Sequence, residues 1–292
     1  MKRILGIDIG GTSVKMGILD KATGDMVDIS QFKSFGHEPD KLADAVAAAA
    51  LTYNADIVGV GTTGGVNLTT NTVNSSNLSW KNVPLRKLLE ERMQRQVWVD
   101  NDSKSAMMAE VFSGVCKDKR CAVFITLGTS LGAGLIIDGK PWRGDDNTAF
   151  ELGHIITHAH EYDGTGETRA GRLEYYASAQ GIERNNGGRP AREVIEGVIA
   201  REPHAMKIYD QFMFDLAIGL FTTIELFKPE VIGLGGGLCA VGDYLIEGLH
   251  RKFDELYAHR SKSAAGIIKL ARHQNNAGMI GAAALAELFL FK

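Results

Sequence analysis

A chain of 292 residues is longer than one small core requires, so two domains are the natural expectation. Hydrophobic residues at 45% and charged residues at 23% describe a globular chain rather than a disordered one. The net charge is −3 and no basic stripe is present, which argues against nucleic acid or an anionic membrane as a partner.

In chain order, "RILGIDI", "GGTS" and "VKMGILD" read as strand, turn and strand. Asp8 interrupts the first apolar run, which is therefore too short for a signal peptide. A third strand is expected within 25–35. "PDKLADAVAAAALTYN" reads as a helix with proline at its start, and "DIVGVGTTG" as a buried strand entering a glycine loop. "PLRKLLEERMQRQ" is helical, "VWVD" a short strand, and "DSKSAMMAEVFSG" a helix. The pattern then restarts with "CAVFITL", "GTSL" and "GAGLIID". Gly11-Thr12-Ser13 with Gly17 recurs as Gly128-Thr129-Ser130 with Gly134, in the same strand–turn–strand context. This repeat predicts two related α/β domains. Helices are expected over 190–202, 204–227 and 241–259, strands in "EVIGLGGG" and "GIIKLA", and a final helix in "NAGMIGAAALAELFLF". No linker separates the halves, so the expectation is a cleft between packed domains. No apolar segment reaches the roughly 20 residues that span a bilayer.

Glycine is over-represented, 34 residues, against a usual share of roughly 7%. Many backbone positions are thus expected to need φ > 0 or close approach to a ligand. In "DIGGTS", Gly10 and Gly11 let N–H groups converge on an oxyanion, and Thr12 adds a hydroxyl. Asp8 is placed to hold Mg²⁺, directly or through water. The competing reading is a tight hairpin with a capping aspartate. Neither a Walker A motif nor a G-x-G-x-x-G after a strand occurs, so ATP, if used, is held by glycine hairpins. In "GLGGGL", Gly235, Gly236 and Gly237 offer bare backbone to an adenine, or a strand-to-helix turn. Asn101 and Asp102 stand between a strand and a helix. They are either the helix cap, or a general base (Asp102) with a residue that orients a hydroxyl (Asn101).

The ordered series "DIGGTS", "NLSW", "NDSKSAMMAE", "TLGTSLGAGLIIDGK", "ELGHI", "GRLEYYAS", "PEVIGLGGGL" and "AGMIGAAALA" resembles the ROK family of sugar kinases and repressors, over nearly the whole chain. The resemblance implies duplicated actin-like/hexokinase (ribonuclease H-like) ATPase domains. The expected boundaries are 1–117, completed by the helix 276–292, and a larger domain over 118–275. It also implies an ATP- and Mg²⁺-dependent hexose kinase with Asp102 as catalytic base. Gly65, Asn77, Asn101, Glu151, His154 and Glu174 are then sugar contacts, Gly10, Gly11, Thr12, Gly128 and Thr129 phosphate hairpins, and Gly235–Gly237 the adenosine side. Glucose is the first expectation, with N-acetylmannosamine, fructose or allose as alternatives. A homodimer is expected. A ROK-type repressor is disfavoured, because only seven residues precede Asp8 where a helix-turn-helix segment would stand.

One departure concerns zinc. The family follows E-x-G-H with a cysteine cluster that holds a structural zinc. Here the counterpart "HEYDGTGETRAGRLE" has no cysteine, and Arg172 stands at the last thiolate position. Cys116, Cys121 and Cys239 form no C-x-x-C pair, which favours a reducing, cytoplasmic compartment. No zinc is expected. His158 and His160 then read as exposed loop histidines, although an i, i+2 pair on a strand could join His154 in a makeshift site.

Overall fold

The computed structural model describes residues 2–290 except 146, 148, 166–167 and 258–264. The expected helix residues 258 and 259 lie outside the described set, as does residue 291 of the final helix.

The chain forms two compact units. The first comprises 1–117, 141–149 and 273–292, and the second 118–140 and 150–272.

In the first unit β1 (Ile4–Ile9), β2 (Ser13–Asp20) and β3 (Asp25–Lys33) form an antiparallel meander, and β4 (Ile57–Thr62) and β8 (Gln96–Asn101) add in parallel. The sheet order is β3-β2-β1-β4-β8. Period-two alternation divides β1 between two faces. Leu5, Ile7 and Ile9 join the core formed with helices α1 (Pro39–Leu51) and α2 (Leu85–Met93) through Leu42, Val46, Leu85 and Leu89. Gly6 and Asp8 point the other way, onto the C-terminal helix α9 (Ala277–Leu290). A Cβ on Gly6 would stand 2.1 Å from Met279 O, and one on Gly59 only 1.9 Å from Ala282 O. These glycines therefore set the depth at which α9 docks. α9 also meets α3 (Asp102–Ser113), where a Cβ on Gly281 would overlap Ser105 O.

A second, three-stranded sheet of β5 (Gly65–Asn67), β6 (Thr72–Ser75) and β7 (Trp80–Val83) lies between β4 and α2 in sequence. It was not expected from the sequence, because its strands are short and rich in polar residues. Only Val66, Val73, Ser75 and Trp80 are buried in it.

The second unit repeats the first. β9 (Ala122–Leu127), β10 (Leu131–Ile137), β11 (Lys140–Pro141), β12 (Val231–Gly235) and β13 (Ile268–Leu270) are ordered β11-β10-β9-β12-β13, with β9–β10 antiparallel and β9–β12 and β12–β13 parallel. The repeated G-T-S motif thus marks a repeated topology. The core is closed by α6 (Ala191–Ile199), α7 (Pro203–Phe227) and α8 (Asp243–Tyr257). α7 is a core helix: Tyr209, Phe212, Met213, Leu216 and Leu220 are buried on it, and the Tyr209 hydroxyl donates to Leu238 O at 2.7 Å. Two short helices, α4 (Leu173–Tyr176) and α5 (Ala179–Asn185), were not read from the sequence.

The unit boundaries differ from the sequence expectation at 141–149 and at 273–275, both assigned to the second domain. Segment 141–149 belongs to the first unit because the Arg143 guanidinium pairs with Asp100 at 2.8 Å and the Asn147 amide donates to Val66 O at 3.1 Å.

Candidate active site

The parallel strands of the first unit end side by side, with Ile9 opposite Thr62 and Thr62 opposite Asn101. Loops at the C-terminal ends of parallel strands are the usual ligand position in α/β sheets. Asp8, Gly64–Gly65 and Asn101–Asp102 are collected there by register alone. Asn77 joins them by donating to Thr63 Oγ1 at 3.2 Å, while the Thr63 N–H donates to Ile9 O at 3.3 Å.

The two readings of Asn101–Asp102 are separated by the hydrogen bonds. Asn101 is the N-cap of α3: its Oδ1 accepts from Ser103 N at 2.9 Å and Lys104 N at 3.2 Å, and its Nδ2 donates to Gly64 O at 2.8 Å. Its amide is therefore largely engaged within the protein. Asp102, the first helical residue, shares the Ser103 N–H and leaves the Lys104 N–H to Asn101. Burial pushes its carboxyl up to about 6, the Ser103 N–H at 2.7 Å pulls it down, and the charge of Asp8 raises it further. Burial also raises the Asp8 carboxyl, against Lys15, which lowers it. Two buried carboxylates close enough for the charge of Asp8 to raise Asp102 are a suitable environment for Mg²⁺, which takes one or two carboxylates and fills its remaining positions with water and phosphate oxygens.

The β1–β2 turn closes with Gly10 N–H donating to Ser13 O at 2.9 Å, and Thr12 lies exposed on it. A Cβ on Gly11 would meet nothing within 4 Å, and Gly11 is not among the positive-φ glycines. Neither packing nor backbone conformation requires glycine there, and the same holds for Gly65. What the missing side chains leave is open space beside the backbone.

The second unit has the equivalent turn, one residue shorter. Gly128 N–H donates to Ser130 O at 3.1 Å, and Gly128 O accepts from Ala179 N at the start of α5 at 2.8 Å. A Cβ on Gly128 would come no nearer than 4.0 Å to anything. Glu151 precedes the 3-10 turn Leu152–His154, which packs closely on β10: a Cβ on Gly153 would stand 2.7 Å from Leu131 O. This turn brings His154 to Glu174, with Nε2 to Oε1 at 3.6 Å, and Arg169 Nη1 approaches the same oxygen at 3.2 Å. Glu174 is buried at 5% exposure, whereas Glu151 and His154 are exposed. Arg169 was not read from the sequence, since no local pattern announces it.

The three glycines from the last residue of β12 onward do different jobs. A Cβ on Gly235 would press on the Phe124 ring at 2.8 Å. Gly236 has φ +98 and lies against Leu127, whose O would be 2.4 Å from a Cβ. Gly237 is free of both constraints.

A model of the ROK family matches residues 4–288. The chain belongs to the ROK family. Its relatives include a glucokinase of Streptomyces coelicolor, 31% identical over 97% of this chain and 97% of that one. An N-acetyl-D-glucosamine kinase of Histophilus somni is 29% identical over 96% and 97%. The crystal structure of a ROK family glucokinase from Streptomyces griseus in complex with glucose and AMPPNP is similar with a TM-score of 0.83 and 27% identity, covering 98% of this chain and 99% of that one. The two units are accordingly the duplicated actin-like ATPase fold.

In this ROK protein the region corresponding to the zinc cluster is organised by other contacts. His158 is not an exposed loop histidine. It stacks on Tyr176 with ring centroids 3.9 Å apart and points Nε2 at buried Asp215 Oδ1, 3.6 Å away. The Tyr176 hydroxyl donates to Glu161 at 2.6 Å and accepts from Gly171 N at 3.0 Å. His160 is exposed and faces Glu161. The segment is turn rather than strand, so the same-side argument for an i, i+2 pair does not apply. Among the described residues, no group of three His, Cys, Asp or Glu is arranged to hold a metal ion.

Proposed function

We propose that this ROK protein transfers the γ-phosphoryl group of ATP to a hexose hydroxyl, with glucose converted to glucose 6-phosphate as the first choice. That it is an ATP-dependent sugar kinase follows from family membership across 4–288 and from its kinase relatives. The sugar and the residue roles are our reading. The observation that carries the reading is the division of labour at the start of α3: Asn101 caps the helix, so the Asp102 carboxylate is available, with its proton affinity set near neutrality.

In this reading Asp102 accepts the proton of the sugar hydroxyl as that oxygen bonds to the γ-phosphorus and the bond to the leaving ADP oxygen breaks. In the two hairpins, Gly10 and Gly128 close the turns with their own N–H groups and leave room for a phosphate, to whose oxygens Gly11, Thr12 and Thr129 donate; Gly237 with its neighbours Gly235 and Gly236 lies against the nucleoside. Glu151, His154 and Glu174, with Gly65, Asn77 and Asn101, satisfy sugar hydroxyls. Arg169 orients the Glu174 carboxylate. Mg²⁺, with Asp8 as its protein carboxylate, supplies charge neutralisation on the phosphates when bound. A homodimer and a cytoplasmic location belong to the same reading, supported by the family resemblance and by three cysteines that form no C-x-x-C pair.

The 29% identity to an N-acetyl-D-glucosamine kinase favours an N-acetylated hexose, N-acetylmannosamine included, as the second substrate reading, ahead of fructose. ADP release measured across a panel of hexoses and N-acetylhexosamines tests both. Asp102→Asn should abolish turnover and leave sugar binding measurable. Substantial activity in that variant would remove Asp102 from the role of base.

A further inference from the structure

Asp100, two residues before the proposed base, is wholly buried at 0% exposure. A buried carboxylate persists only when its oxygens are filled by good donors. Three hydrogen bonds and one ion pair meet it here. Oδ2 receives Trp98 Nε1 at 3.3 Å and faces the Arg143 guanidinium, Nη2 at 2.8 Å, as a charge pair; Oδ1 receives the Asn101 N–H at 2.9 Å and Asn147 Nδ2 at 3.2 Å. Arg143 also donates to Asn147 Oδ1 at 2.5 Å and lies 4.9 Å from the Phe289 ring, which is stacked on Trp98 at 4.4 Å. Asn147 completes the cluster: its second amide hydrogen goes to Val66 O at 3.1 Å, and its carbonyl accepts from buried Lys104 Nζ.

This cluster grips the chain on both sides of Asp102. Asp100 holds the N–H of Asn101, the residue before it, and Lys104, two residues after it, is held by the Asn147 carbonyl. The bond to Val66 ties the same cluster to the strand that begins at Gly65. A merely structural role does not need this chemistry, because apolar residues of similar volume replace buried ion pairs with little or no loss of stability. Directional bonds that locate a backbone are what such a cluster supplies, and a displacement of about 1 Å at a reacting group lowers a rate by about 10²-fold.

We propose that Asp100, Arg143 and Asn147 form a positioning clamp that holds the Asp102 carboxylate in register with the sugar hydroxyl, without touching the substrate themselves. The proposal rests on the assignment of Asp102 as base. The segment that contributes Arg143 and Asn147 runs directly into Glu151, so one short stretch carries both the clamp and a proposed sugar contact.

The test separates folding from positioning. Asp100→Asn leaves Arg143 buried without its partner and should lower both the thermal midpoint and kcat. The double variant Asp100→Asn/Arg143→Met removes both charges. It should recover most of the thermal midpoint while kcat stays about 10- to 100-fold below the parent. Recovery of kcat together with the midpoint would overturn the proposal. Asp102→Asn is measured alongside. If that variant turns over, the assignment of the base fails and the clamp with it. If it is inactive while the double variant is fully active, the clamp alone fails.

Discussion

Asp102 has to be ionised to accept a proton, and burial holds its carboxyl at about 6. The kcat profile should therefore fall on the acid side with a midpoint near pH 6. A limb near pH 4 would mean that the group is not desolvated. The same burial has a thermodynamic consequence. Because the folded state binds this proton more tightly than the unfolded chain does, the stability contribution is complete below about pH 4 and is lost as pH rises through about 6. Asp102→Asn should consequently raise the unfolding midpoint at pH 8 by a few degrees, on the order of 1–3 kcal/mol. This gain should disappear near pH 4, and an equal gain at both pH values would contradict a burial effect. Stability is thus given up at the site where chemistry is expected. Asn101 and Asp102 also show why a pair of cap-forming residues is ambiguous in sequence. Either could have capped α3, and only the bonds to Ser103 N and Lys104 N assign that work to Asn101. His158 was equally illegible, since Asp215 lies far along the chain and no local pattern joins them. With His158 engaged this way, treatment with a zinc chelator followed by its removal and addition of Mg²⁺ should leave thermal midpoint and activity unchanged. Loss of activity restored by zinc would contradict that.

Among the elements, the two glycine hairpins and the turn after β12 carry the most discriminating prediction. Gly11→Ala, Gly128→Ala and Gly237→Ala introduce a Cβ into open space at ordinary φ, so stability should change by no more than about 0.5 kcal/mol or improve slightly. The KM for ATP should nonetheless rise by about tenfold or more, as expected where backbone must approach a phosphate or a nucleoside. Unchanged ATP kinetics in all three would leave the hairpins as turns and nothing else. Gly236→Ala is the control with the opposite signature. Its φ of +98 and the approach of Leu127 O predict a loss of thermal stability whatever happens to ATP. The hairpins were readable because a short glycine motif between two apolar β-runs is a local signal. The β5–β6–β7 sheet was not, because its strands are three or four residues long and owe their pairing to partners outside their own window.

Across the molecule, each unit is assembled by contacts between distant segments. α9, at the end of the chain, closes the first unit by lying on glycines of β1 and β4. Gly59→Ala should therefore destabilise by about 3 kcal/mol or more, since its Cβ would overlap the Ala282 carbonyl rather than a movable side chain. A thermal midpoint within a degree of the parent would contradict this docking. By itself the sequence determined the duplicated α/β topology, the glycine turns and the identity of most residues at the strand ends. These follow from periodicity, capping and turn chemistry, which act within about ten residues. Only the tertiary structure decided that 141–149 returns to the first unit, that Asn101 rather than Asp102 is the cap, and that Arg143 and Asn147 close on Asp100. Those outcomes depend on filling the hydrogen-bonding capacity of buried groups far apart in the chain, a constraint that exists only once the strands have been brought together.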